Sequence, residues 1–428
     1  MSVFRPKLRP VEAVPARHGG RDVIVLRDAS GMSDRTAVVA PDMFFLLTLL
    51  DGTRTLRDIQ VEYAQRSGQL LLSEHLERIV HELDANLLLE GETFERFAVE
   101  QREEFARLTV RPASHAGKAY PADPGVLRDQ LRGYFAVAAL KNPLSDEERA
   151  NRPTALIAPH IDFSRGGPCY AHAYRQLGES TASPPGLLVI LGTAHGAPQS
   201  PYVLTRKDFA TPFGRAETAG HLLDALEKQW PGTRELYRDE LSHRGEHSIE
   251  FQVLFAQHAL GDERMPPILP VLCSLRPTEA PSENEEVVRF LDVLRAVIAE
   301  HAPDACVIAG ADLSHIGQRF GDPGPLASNV LRAAEEGDRR LLSYAEKLDA
   351  EGLWQAAQTE TGARNVCGVP PIYTMLRLIS SCEGRLLKYE QAVERQTQSM
   401  VSFAAMVFRG ARRLRPLIRR GVPPVSRG

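Results

Sequence analysis

The hydrophobic patterning of this chain changes texture near residue 91. Before that point, apolar residues fall in short β-rich runs and in helical stripes. Asp22-Val-Ile-Val-Leu-Arg27 and Thr36-Ala-Val-Val-Ala40 read as strands separated by the turn-rich stretch Ala29–Asp34. Asp42 is placed to cap a helix through Met43–Leu50 that stops at Asp51-Gly52. A second helix fits Leu56–Arg66. Ser73 is placed to cap a third, which carries Leu76, Ile79, Val80, Leu83 and Leu87 on one face. These elements predict a small α+β unit over residues 1–90. The charge-rich residues 91–108 read as a connecting helix or linker.

From about residue 109, continuous apolar runs alternate with helical stretches. The runs are Thr154–Ala158, Leu187–Leu191, Ile268–Leu272, Ala305–Ala309 and Val401–Val407. Unbroken runs of this length suit strands covered on both faces. Helices are expected at Leu222–Gln229, Glu286–Glu300, Leu326–Lys347 and Ile372–Ser380. Strands separated by helices predict an α/β fold, an open and mostly parallel sheet flanked by helices, over residues 109–410. The last stretch, 411–428, carries arginines and no acid. It reads as a solvated basic tail, with a nucleic-acid or anionic-lipid contact as the alternative.

Composition narrows the class. With 43% apolar and 25% charged residues, the chain resembles folded proteins rather than disordered ones. A formal net charge of −4 gives no global attraction to nucleic acid. No apolar run approaches a membrane span, and MSVFRPKLRP lacks a secretory apolar region. Five cysteines, at 169, 273, 306, 367 and 382, form no disulfide pattern, so a reducing cytoplasm is expected.

Chemistry-bearing residues follow the apolar runs. The first run ends in Pro159-His160, the second in Gly192-Thr-Ala-His195, and the fourth in Gly310-Ala-Asp312-Leu-Ser-His315. In open α/β sheets ligands bind outside the carboxyl ends of the strands, where groups distant in sequence converge. A lone histidine is more often a hydrogen-bonded core residue, but three in the same context point to a shared cleft. Glu246 and His247 stand at a helix start, where a capping acid and a structural histidine compete with a functional reading. Cys367 precedes Gly368-Val-Pro-Pro371 and an apolar helix, a position where the helix dipole favours thiolate. Cys273, Cys306 and Cys382 lie in or beside apolar stretches and read as packing residues. Cys169 is open between the two roles. His115 stands among small residues in Ser114-His-Ala-Gly117.

Six ordered segments carry a resemblance: SHAGKAYP at 114–121, APH at 158–160, ILGTAH at 190–195, EHSIE at 246–250, GADLSH at 310–315 and NVCGVPP at 365–371. Together they resemble the Memo family, the B component of the AmmeMemoRadiSam system, over about residues 110–408. The resemblance implies a fold similar to class III extradiol dioxygenases. It also implies an iron or copper ion held by His160, His195 and Cys367, with Asp312, His315 and His247 beside it as catalytic groups. Two positions differ from many family members. Ile161-Asp162-Phe163 stands where Ala-Gly-Tyr is common, so Asp162 could add an oxygen ligand or pair with Arg165. Gly196 stands where a second histidine is common. Residues 49–59, LLDGTRTLRDI, with the amphipathic helix after them, resemble PqqD-like winged-helix domains. That resemblance implies peptide binding, next to a radical-SAM partner.

Three functions are therefore expected to compete. In a redox metalloenzyme, imidazole and thiolate suit Cu(I) or Fe(II), and His315 and His247 serve as acid or base, with His115, Asp162 and Glu246 also in the cleft. In a non-catalytic metal-dependent binding protein, the cleft recognises a peptide or partner. In a thiol hydrolase or transferase, Cys367 is the nucleophile and activity survives metal removal.

Overall fold

The computed structural model describes residues 4–410, apart from positions 30, 262, 277–278 and 360–363. The expected basic tail, 411–428, lies outside the described residues.

In the N-terminal unit, β1 (Val11–His18), β2 (Arg21–Asp28) and β3 (Thr36–Val39) form an antiparallel sheet in that order. The sequence pattern hides β1 because Pro15 interrupts it. Proline is tolerated there because β1 is an edge strand. The helix expected from Met43 is shorter: a 3₁₀ turn, Pro41–Met43, leads into Phe44–Thr48, and Asp42 lies inside that turn rather than capping. Helix Leu56–Ser67 is capped reciprocally by Thr55 and Asp58. Ser73 is the first residue of helix Ser73–Ala85 rather than its cap. Its hydroxyl instead accepts a hydrogen bond from Gln60 Nε2 at 3.1 Å. Leu26, Leu46, Ile59, Leu76, Val80 and Leu83 close a separate small core. Residues 92–107 form a helix that leads into the larger unit.

The remaining strands, in chain order, are β4 (Val110–Arg111), β5 (Ala155–Ala158), β6 (Leu188–Thr193), β7 (Tyr202–Leu204), β8 (Asp208–Thr211), β9 (Gly214–Ala216), β10 (Ile268–Cys273), β11 (Cys306–Gly310), β12 (Asp312–Gly317), β13 (Cys382–Glu394) and β14 (Ser399–Gly410). The main sheet runs β12-β14-β5-β11-β6-β10-β7, with β13 paired to β14. Its centre, β5, β11, β6 and β10, is parallel. β7 flanks it antiparallel on one side, and β14 with β12 and β13 on the other. The open α/β sheet is therefore mixed, with its parallel part where the side chains of interest emerge.

Every residue of the four central strands is buried. Alternate residues face opposite layers. Val189 and Leu191 join Leu222, Leu294 and Ile372 from the helices on one face. Leu188 and Ile190 join Tyr170, Tyr174 and Phe255 from the helices on the other. Each fully buried Leu or Phe contributes roughly 1.5–3 kcal/mol over its exposed state, so burial on both faces rigidly fixes the strand ends. Because β5, β11 and β6 are parallel neighbours, their carboxyl ends share one edge.

Two strand-end glycines let a helix cross that edge at close range. A Cβ at Gly192 would lie 2.5 Å from Ser248 Oγ, and one at Gly310 would lie 2.8 Å from the Ser248 carbonyl. Both contacts fall in the first turn of helix His247–Leu260. The small residues after the apolar runs thus bring the start of this helix directly over the strand ends.

Candidate metal centre

The site begins with His160, just past β5 and 2% exposed. Its backbone N–H donates to Asp312 Oδ1 at 2.9 Å, and its Nδ1 lies 3.0 Å from the Gly310 carbonyl. That carbonyl accepts only from a protonated Nδ1. Nε2 is thereby turned toward Cys367 Sγ, 3.3 Å away, with Asp312 Oδ2 at 3.7 Å.

His195 follows β6. Its Nδ1 lies 3.1 Å from both oxygens of Glu246, whose Oε2 also accepts the His195 backbone N–H at 2.9 Å. Glu246 is the N-cap of helix His247–Leu260 and accepts from Ser248 N at 2.9 Å. It thus serves both readings open in the sequence, capping acid and site residue. His247, the first residue of that helix, has its Nδ1 3.3 Å from Glu246 Oε1. The ring centroids of His160, His195 and His247 lie 4.9–5.4 Å apart. Each ring offers one nitrogen, and the three nitrogens lie within 4.8 Å of one another.

Opposite charges meet in this space. Burial raises the Cys367 thiol, but His160 and His315 outweigh that and bring it down to about 5. Burial lowers His160, yet Asp312 and Cys367 raise it to about 9. His195, facing Glu246 and Cys367, is likewise raised despite its burial. Burial would push the Glu246 carboxyl up, but His195 and His247 hold it well below the usual carboxylate range. His247 goes the other way. Burial and the neighbouring imidazoles, outweighing Glu246, lower it to about 3. Two cationic imidazoles thus face a thiolate and the acidic side chains of Glu246 and Asp312. A divalent cation bound to neutral rings would supply the same positive charge while releasing two protons. Nitrogen donors with carbonyl or carboxylate partners on Nδ1, next to a sulfur donor, fit a first-row transition ion.

The other residues singled out in the sequence lie around this group. Asp312 opens β12 instead of standing in a turn, and it holds His160 through its backbone and ring. His315, on β12, has its Nδ1 3.0 Å from the Leu313 carbonyl and its backbone N–H on Arg364 O at 2.7 Å. It lies on the Cys367 side, outside the three-imidazole group. His115 contacts the His247 ring edge-on at 5.7 Å, and its Nε2 lies 2.9 Å from Gly245 O. Asp162 caps helix Phe163–Gly178 and pairs with Arg165 and Ser164. Of the two uses open to its carboxylate, the structure has the pairing with Arg165. Cys169, Cys273, Cys306 and Cys382 are buried.

The sequence reading did not find the clamp beneath the site. Arg111 and Glu250 form an ion pair with both side chains 0% exposed, and Tyr120 donates to the same carboxylate. Glu250 also accepts the backbone N–H groups of Ser114 (3.2 Å) and His115 (3.1 Å). This ties segment 111–120 to helix His247–Leu260. The signal was present as a charged residue inside an apolar helical run, a buried charge that needs a partner.

Fold and site define the class: an α/β protein with three imidazoles and a thiol gathered at the carboxyl edge of its parallel strands, able to hold a metal ion. The chain belongs to the Memo family, whose model, described as Memo-like protein, matches residues 111–407. A MEMO1 family protein of Aquifex aeolicus is 28% identical over 95% of this chain and 100% of its own length. One of Thermus thermophilus is 32% identical over 83% of this chain and 99% of its own. One of Thermococcus kodakarensis is 29% identical over 70% of this chain and 99% of its own, an extent close to that of the family match.

Proposed function

We propose that the cleft holds a redox-active iron or copper ion. His160 and His195 are the constant ligands, with Cys367 on one side and His247 on the other. The observation that carries this reading is the convergence of three imidazole nitrogens within 4.8 Å, with Nδ1 of His160 and His195 facing built-in acceptors. A purely structural histidine cluster has no need to aim its free nitrogens at one point and at a thiolate.

The ion would supply a redox-active Lewis acid. The chain's own groups divide the remaining work. Asp312 fixes His160, Glu246 fixes His195, and His315 takes or gives a proton at substrate on the Cys367 side. Because the thiolate survives best under reducing conditions, this reading places the chain in the cytoplasm. It also makes the N-terminal unit a recruitment module for a peptide and a radical-SAM partner. Support comes from its exposed apolar residues, Val38, Val61, Leu70 and Leu72, and from the two edge strands, β1 and β3, of its three-stranded sheet.

The test is metal content after anaerobic purification of untagged wild type and of His160→Ala, His195→Ala, His247→Ala and Cys367→Ser. Near-stoichiometric iron or copper in wild type and its loss in the variants are expected. A wild type that holds no metal and takes none up on reconstitution would sink the proposal. Stoichiometric metal that never turns over any substrate would favour the non-catalytic binding protein.

A further inference from the structure

A cavity of about 530 Å³ opens beside Cys367, between the ends of β6 and β10 and the start of helix Val369–Leu378. Its size falls within the range of roughly 300–1,000 Å³ usual for small-molecule sites. The walls are apolar: Leu275, Trp354, Val366 and Val369. The Trp354 ring is fixed, since its Nε1 donates to Glu279 O at 3.0 Å. Thr193 and Cys367 mark the end nearest the three imidazoles.

Two arginines border the cavity, and they differ. Arg364 is buried and committed to Asp338 and Ser314. Arg276 is exposed at the mouth, where the cavity meets a smaller depression bordered by Glu279 and Glu286. Among the described residues, no carboxylate lies within 4 Å of its guanidinium and no side-chain hydrogen bond engages it. No Asp or Glu lines the larger cavity among the described residues. One uncommitted guanidinium matches a monoanion, and its planar fork suits a carboxylate. A phosphate dianion would need more cationic partners than this apolar chamber offers.

We propose that this cavity binds a small apolar carboxylic acid. Its carboxylate sits on Arg276 and its hydrocarbon or aryl body lies along Leu275, Trp354, Val366 and Val369, so that its far end meets the His160–Cys367 site. The binding assignment rests on the cavity itself. Its use as a substrate site rests on the metal reading above.

The experiment is calorimetric titration of the full chain, with metal content measured on the same samples. The probes are 4-phenylbutyrate and its uncharged analogue 4-phenylbutan-1-ol. Wild type should bind the acid about tenfold more tightly than the alcohol, the ratio expected for one charge-assisted contact at a partly exposed site. Arg276→Ala should abolish that preference, and Arg276→Lys should keep part of it. Ala357→Trp, which fills the chamber from its wall, should weaken both probes about tenfold or more while the thermal unfolding profile stays cooperative. Absence of acid binding in wild type, an undiminished preference in Arg276→Ala, or unchanged affinity in Ala357→Trp would each overturn the proposal. Acid binding that depends on Arg276 in a chain that holds no metal and takes none up on reconstitution would uphold the cavity and sink the metal reading alone.

Discussion

Glu246 holds His195 from two directions, accepting its backbone N–H at 2.9 Å and facing its Nδ1 at 3.1 Å with both carboxylate oxygens. The carboxylate therefore fixes the position of His195, its ring rotation and its tautomer, leaving Nε2 as the free donor. Outer carboxylates of this kind typically account for about 10- to 100-fold in metal affinity. Glu246→Gln keeps the shape and an oxygen for Ser248 N, but loses the charge. The expected outcome is a folded protein whose metal affinity, read by chelator competition, falls by roughly that factor. An unchanged affinity would show that His195 needs no carboxylate to ligate.

Cys367 differs from the other four cysteines in a way that chemistry can read. Its thiol is brought down to about 5 by His160 and His315, against the effect of burial. Burial pushes Cys273 and Cys306 up to about 12 and Cys382 up to about 11, and raises Cys169 well above its usual value. Only thiolate alkylates at an appreciable rate. In metal-free protein at pH 7, iodoacetamide should therefore label Cys367 first, and added iron or copper should protect it. Peptide mass mapping decides the matter. Earlier labelling of another cysteine, or no protection by metal, would contradict the assignment.

Much of this site was legible in the sequence because periodicity and strand ends are local signals. The runs at 154–158, 187–191 and 305–309 correspond to β5, β6 and β11, and their shared edge follows from parallel pairing. Long-range partners were not legible. Nothing near Glu250 announces Arg111, 139 residues away, and nothing near Ser73 announces Gln60. The antiparallel flank was missed for a similar reason. A strand such as β14, buried on both faces, carries the same unbroken apolar run whichever way its neighbours point. β1 was missed because Pro15 removes the local strand signal while the edge of the sheet tolerates it.

The strand-end glycines make a steric prediction. At Gly310 an added methyl would meet Gln252 Nε2 at 2.7 Å and the Ser248 carbonyl at 2.8 Å, so the first turn of helix His247–Leu260 has to move. Gly310→Ala should cost about 1–3 kcal/mol in urea unfolding and lower metal occupancy, because His247 rides on that turn. Gly133→Ala is the control. It lies within helix Pro124–Lys141 with open space around its Cβ position, and should be neutral or stabilising by about 0.5–1 kcal/mol. Equal behaviour of the two variants would remove the close-approach argument.

Acid lability follows from buried histidines away from the metal group. His243 is 1% exposed with its Nε2 3.0 Å from Val203 O, and burial, reinforced by Arg111, lowers it to about 3. Burial lowers His172 and His258 to about 4. Each stays neutral in the fold but takes a proton near pH 6.5 once unfolded. Below that pH the unfolded chain binds more protons, so stability falls as pH falls, and the loss is complete only below the folded-state values. His160 and His195, raised in the fold, are protonated in both states below about pH 6, so they add little slope there. Carboxylates lowered in the fold, such as Glu246, contribute their own loss mainly below about pH 4.5. Between pH 6.5 and 5 His243 alone should account for roughly 2 kcal/mol, while Cys367, a thiolate in the fold and a thiol once unfolded, adds a loss of its own that wild type and His243→Gln share. Urea unfolding of wild type and His243→Gln at steps from pH 7.5 to 5 measures this directly. The wild-type curve should fall more steeply, with the two converging toward acid. Parallel curves would mean that His243 is protonated in the folded protein.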